Sequence, residues 1–215
     1  MRAIVGDDAS VFQVDTGVFP PSLPSATTAG LEPLTGPRSL DRARLLMKEA
    51  GYSNQLIRLL VGTDLPTSNA MGAVAADLFR RLGFNMDLAT SDWATVLRRR
   101  ASQEPIERGG WSVFLTTTPA FDLADPAAHV AIRGNGRAAW PGWPTSPRLE
   151  QLRDVWFEAP GDAARQAICA DIQRTVMDEV PYIPLGFYMP RMAMRQSLTG
   201  QVVGLLVFWG VHRSS

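Results

Sequence analysis

Cysteine occurs once in these 215 residues, histidine twice, and the 21 basic and 21 acidic side chains cancel. Each scarcity excludes something. The single Cys169 cannot close an internal disulfide, and its neighbours Ile168, Ile172 and Val176 give it the setting of a small buried hydrophobe. The two histidines, His129 and His212, lie far apart, with no cysteine or paired acids at ligand spacing. No metal site is expected from them. A formal charge of zero lacks the basic excess of a nucleic-acid binder, so no nucleic-acid partner is expected. No window approaches the apolar length that crosses a bilayer, which argues against membrane insertion. The opening MRAIVGDDAS has no basic start, long apolar stretch or small-residue cleavage site. Taken literally, the chain is expected to stay in the cytoplasm. A phosphate loop and a G-x-S-x-G nucleophile elbow are also missing. GNGRAA (134–139) fits a dinucleotide fingerprint as a string, but Trp140-Pro141 stand where its helix would run. No cofactor is expected.

Present instead is a regular alternation of elements. PRSLDRARLLMKEAGY (37–52) reads as a complete helix. Pro37 holds Arg38 out of the helical region, Ser39 is placed to cap the first turn, and Asp41 and Lys48 complement the helix dipole. Leu40, Ala43, Met47 and Ala50 share one face, and Gly51 stops it. LIRLLV (56–61) predicts a buried strand. Residues 67–82 predict a helix with Ala70, Val74, Leu78 and Leu82 spaced four apart, ended by Gly83. NMDLA (85–89) is a second strand, Asp92 caps a helix through Arg100, and WSVFLT (111–116) is a third strand. Strand–helix–strand–helix–strand builds a right-handed parallel sheet with helices on its faces. Residues 117–146 form a loop too long for a mere connection. Helices follow over 147–158 and 162–180, and YIPLGF (182–187) suggests another strand. The prolines of GVFPPSLPSATTAG (17–30) make that segment irregular, on the residues alone a disordered tail. The apolar VVGLLVFWGV (202–211) calls for a docking partner.

In this order the segments resemble the family 5 extracellular solute-binding proteins, the peptide- and nickel-type receptors of ABC transporters. The likeness is carried by PRSLDRARLLMKEAGY, by AADLFRRLGFNMDLATSDWATVL, by WSVFLTTTPAFDLADP, by FWGV near the end and, most specifically, by SPRLEQLRDVWFEAPGDAARQAICADIQRTVMDEVPYIPLGFYMP. It implies an α/β fold with a mostly parallel sheet flanked by helices, equivalent to the C-terminal lobe of a type II periplasmic binding protein. The implied divisions are a connector or hinge over 1–36, the lobe over 37–190, and an extended tail over 191–215 returning to an N-terminal lobe. Family members are more than twice this length. The resemblance therefore covers a C-terminal portion only, whose missing N-terminal lobe would supply the other pocket wall. Ligand capture for an ABC permease is the implied function, without covalent chemistry and in the periplasm. Binding by this portion alone would be weak or absent.

The resemblance makes Asp122 the first candidate site residue. In peptide-binding members an aspartate three residues before a "DP" pairs with the peptide α-ammonium, and Asp125-Pro126 supplies that "DP" here. A carboxylate in a partly closed cleft suits an ammonium group; the bland alternative is a turn cap. Trp140 and Trp143 form an aromatic loop suited to a small ligand or to packing, and Trp111 and Phe121 share that ambiguity. Arg133 could meet a carboxylate bidentately or stand as a solvated loop charge. Arg98 to Arg100 read as helix-ending cations. Two rivals remain: a small α/β hydrolase using Asp122 or Asp125 with His129, and a fragment with only a structural role.

Overall fold

A computed structural model describes residues 1–191, 193–202 and 207–213. Its centre is a three-stranded parallel sheet in the order β3 (Asn85–Ser91), β2 (Leu56–Gly62), β4 (Val113–Phe114). Strand β2 pairs Leu56 with Asn85 through Gly62 with Ser91 on one side, and Leu59 with Val113 and Leu60 with Phe114 on the other. The parallel α/β order expected from the sequence is the order observed, although β4 is far shorter than the apolar run 111–116. Arg58 in β2 binds across the sheet, donating to Asp87 Oδ2 at 2.6 Å and to the Ile106 carbonyl at 2.7 Å.

Before the sheet come α1 (Arg2–Val5), β1 (Phe12–Gln13) and α2 (Glu32–Thr35), then α3 (Leu40–Glu49). The Ser39 hydroxyl accepts from Arg42 N–H at 3.2 Å, the expected cap of α3. At the far end Tyr52 N–H reaches Met47 O and Gly51 N–H reaches Lys48 O, each at 3.0 Å, closing a Schellman motif. Tyr52 then ties the helix to the sheet, its hydroxyl donating to Gln55 O and accepting from Asn85 N–H at 2.8 Å.

Helix α4 (Pro66–Leu82) lies on β2, but not through the stripe that its spacing suggests. Val74 and Leu78 are 56% and 42% exposed, whereas Ser68, Met71, Gly72 and Ala76 are buried. Close approach decides this. A Cβ on Gly72 would fall 2.6 Å from the Val61 methyls, so only a backbone without a side chain brings α4 down onto the strand. The short α5 (Trp93–Arg99) follows, capped by Asp92, whose carboxylate accepts from Thr95 N–H at 2.9 Å.

The second core lies between α6 (Pro147–Glu158) and α7 (Asp162–Glu179). Leu149, Leu152, Cys169, Ile172 and Val176 pack there with Ile132 and with Val18 and Phe19 from the proline-rich segment. That segment is ordered: residues 16–20 are buried, and Gln173 holds it by accepting from Val18 N–H and donating to Thr27 and Ala29 carbonyls. Helix α7 stops one residue short of its expected end, because Val180 turns left-handed (φ 51°) ahead of Pro181.

The strand expected over 182–187 is reduced to β5 (Phe187–Tyr188), which leaves the main sheet and pairs antiparallel with β1. Pro184 lacks the N–H a longer ladder requires. A last antiparallel pair joins β6 (Leu198–Thr199) to β7 (His212–Arg213). Of the apolar run 202–211, positions 203–206 lie outside the described residues. Phe208 and Trp209 are 68% and 82% exposed.

Candidate functional site

Strand β4 ends in the long loop, and there the chain opens a cleft of about 520 Å³. Its wall includes Trp93 and Leu97 from α5 with Arg100 at its C-cap, Thr116 to Pro119 following β4, and Asp122, Val130 and Trp140. Position at the carboxyl end of a parallel sheet is where open α/β folds place ligands. Asp122 sits in a short 3-10 turn, Ala120–Leu123, with its side chain exposed. Asp125 has a different task. Its Oδ1 accepts from Ala127 N–H at 2.8 Å and Ala128 N–H at 3.0 Å, capping the turn behind Asp122.

Trp140 and Trp143 stand at the tip of a hairpin-like loop, where Trp143 N–H donates to Trp140 O at 2.9 Å. The aromatic residues join in a chain. Trp111 meets Trp143 at 5.8 Å and Phe114 at 5.1 Å, and Phe114 meets Trp140 at 5.3 Å between ring centroids. Arg100 lies over both Phe114 (5.6 Å) and Trp140 (5.2 Å), a cation held against ring faces. Burial lowers the proton affinity of its guanidinium. Among the described residues that guanidinium has no carboxylate partner. So the tryptophans both pack and line: Trp140 borders the cleft, while Trp143 from the loop and Trp111 from ahead of β4 back the ring stack. Phe121 is 70% exposed beside Asp122. Arg133 is elsewhere, bound to Glu150 through Nε and Nη2, each 3.1 Å from a carboxylate oxygen.

Glu150 is central to the loop's base, accepting also from Gly134 N–H at 2.7 Å. Burial alone would raise its carboxyl. The Arg133 hydrogen bond, the Gly134 N–H and the charges of Arg133 and Arg153 outweigh burial and hold it below the usual range. At the same base a Cβ on Gly134 would meet Ser146 O at 2.6 Å, so the two arms of the loop close only over glycine. Sequence reading missed Glu150 altogether and took Arg100 for a helix-ending cation. Neither has a spacing signal, since both act through loops distant in sequence.

The hydrolase rival fails on His129. Its ring is fully buried, with Nε2 at 3.1 Å from Val18 O and 3.0 Å from the Tyr182 hydroxyl, and Phe19 meets it edge-on. Burial outweighs the bond to Val18 and lowers its pKa to about 4. The imidazole is neutral and walled off from the cleft, so it cannot serve Asp122 or Asp125 as a general base's partner. Among the described residues no group of three or more His, Cys, Asp and Glu could hold a metal, and no helix is long and apolar enough to cross a membrane.

The chain has relatives among known proteins. The chain is 35% identical over 176 residues to a "Probable peptide ABC transporter periplasmic-binding protein" of Sinorhizobium fredii, covering 81% of this chain and 33% of that protein. The chain is thus similar to part of the peptide-type ABC-transporter solute-binding proteins. A second relative, "Di/tripeptide-binding protein 4" of Pseudomonas aeruginosa, is 23% identical over 175 residues, 79% of this chain and 32% of that one. The chain thus spans about a third of the length of the curated relatives it matches. No protein-family model matches it. Among solved structures, OppA of Burkholderia pseudomallei superposes with a TM-score of 0.70 at 18% identity, over 88% of this chain and 37% of that one. DppA of Helicobacter pylori in complex with the peptide STSA gives 0.66 at 18%, over 96% and 40%. These likenesses show the fold, that of part of a type II periplasmic binding protein.

Proposed function

We propose that this chain supplies one wall of the ligand cleft in the substrate-binding component of an ABC importer, and that the ligand is a peptide. The observation that carries the reading is that Asp122, Arg100 and Trp140 line one open cleft, at the carboxyl end of the sheet. The carboxylate suits a peptide α-ammonium, the Arg100 guanidinium suits an anionic group, and the ring face suits the amide backbone between them. Phe121 would close over the ligand, while Trp111 and Trp143 hold Trp140 in place; Arg133 serves the loop rather than the ligand. On this reading residues 1–36 are the hinge connector, 37–190 the lobe, and 191–215 a tail returning to an N-terminal lobe. That lobe would add the second wall, the ABC permease would receive the ligand, and the protein would work in the periplasm without turnover. Closure of the two walls around the ligand would shift an open–closed equilibrium.

The test is titration of the chain with Ala-Phe-Ala and with its N-acetylated form, followed by NMR. One wall alone is expected to bind the free peptide weakly, with a Kd on the order of 1 mM. Acetylation, or Asp122→Asn, should weaken binding by about tenfold or more, as loss of a hydrogen bond to a charged group does. Equal binding of both peptides would remove Asp122 from the reading. Micromolar affinity would show that no second wall is needed, and hydrolysis of the peptide would overturn the receptor reading.

A further inference from the structure

Both walls of the cleft hang from one turn of α6. The Trp140 loop is held at its base by Glu150, which binds Gly134 N–H at 2.7 Å and the Arg133 guanidinium at 3.1 Å. Three residues on, Arg153 is almost entirely buried, lies 4.0 Å from Glu150, and donates to the carbonyl of Pro126. Pro126 belongs to the turn that Asp125 caps immediately behind Asp122. We propose that Glu150 and Arg153 are a positioning pair, fixing the acidic wall and the aromatic wall of the cleft relative to each other.

The physical argument rests on charge and reach. Two guanidinium groups, Arg133 and Arg153, share one carboxylate. Arg153 is buried and cannot be left unpaired without a large penalty, whereas Arg133 is 37% exposed and can be released to water. Loops as long as 117–146 ordinarily sample several conformations, and fixed anchors select one. Because Glu150 touches the aromatic loop directly and the acidic loop only through Arg153, the two anchors are linked in series. Loss of Glu150 should loosen both loops, loss of Arg153 the acidic loop, and loss of Arg133 the aromatic loop. The proposal relies on the cleft reading only for what the walls grip, and its test uses no ligand, so either can fail without the other.

Hydrogen–deuterium exchange on the full chain separates these cases. In Glu150→Gln, exchange in peptides covering both 120–130 and 133–146 should rise about tenfold, while β2 and α4 keep their protection. Arg133→Gln should affect 133–146 alone. Arg153→Met should affect 120–130, and Arg153→Lys, which keeps the charge and a donor for Pro126 O, should restore protection there. Should Glu150→Gln fail to fold, the Arg153 pair carries the decision. The proposal is overturned if Glu150→Gln loosens only 133–146, if Met protects as well as Lys at 153, or if exchange rises uniformly through β2 and α4.

Discussion

In the sheet layer the partners are near neighbours along the chain: Arg58 in β2 meets Asp87 in β3 only 29 positions away. In the helical pair they are not, for Gln173 of α7 grips Val18 across 155 positions. The sheet layer keeps a small buried cluster, Leu59, Val61 and Ala76, and leaves Val74 and Leu78 of its main helix in solvent. The helical pair buries eight residues from four separate stretches of chain. Local pairing forms quickly and writes its periodicity into the sequence. Distant pairing must first close a long loop, which costs folding rate more than stability. The regular part of the molecule is therefore not the part that concentrates the buried core.

That contrast is broken most directly at Phe19, which is 1% exposed yet lies in a segment without secondary structure. Phe19→Ala should destabilise the chain by about 3–5 kcal/mol, measured from urea midpoints. A cost below about 1 kcal/mol would mean that the helical pair is stable without its wrapped segment, and the comparison would collapse.

A second test uses pH, through a histidine buried in the helical pair. His129 is buried in the helical pair with a folded pKa of about 4, against 6.5 when unfolded. The folded state holds the ring neutral while the unfolded state takes up a proton below pH 6.5. The contribution of His129 to stability is therefore full above pH 6.5, falls as the pH drops towards 4, and levels off below that. The loss should be about 3 kcal/mol over that interval. His129→Gln should flatten the slope between pH 6.5 and 4. If exchange from β2 loses as much protection over this range in the variant as in the wild type, the acid sensitivity does not originate at His129.

What could be read from the sequence divides along the same line. Helix boundaries were legible because caps and stops are local: Ser39 and Asp92 each accept from an N–H three residues on, and Gly83 ends α4 in the left-handed conformation. The buried face of α4 was not, since the preference for Gly72 and Ala76 over Val74 and Leu78 depends on how close Val61 lies. Nor was the burial of Val18 and Phe19, because a segment broken by Pro20, Pro21 and Pro24 carries no period to report it. Of the cleft, the resemblance supplied Asp122 and the aromatic loop supplied Trp140. Arg100 and the Glu150–Arg153 pair escaped, as each acts by reaching a loop that only the fold brings near.

The smallest effect is expected where sequence and structure agree best. No residue of α3 is fully buried, so this helix depends on its termini more than on packing. Ser39→Ala removes the acceptor for Arg42 N–H and should cost about 1 kcal/mol. In a helix packed this lightly, the loss should appear first as local fraying. Amide exchange would rise in residues 40–46, while α7 and β2 keep their rates. Tyr52 should hold the far end down, through Gln55 O and Asn85 N–H. Fraying is thus predicted to run from Leu40 inward and to stop before Met47. Equal loosening at both ends would mean that α3 is held by its cap alone; loosening that spread into β3 would mean that this exposed helix supports the sheet layer rather than resting on it.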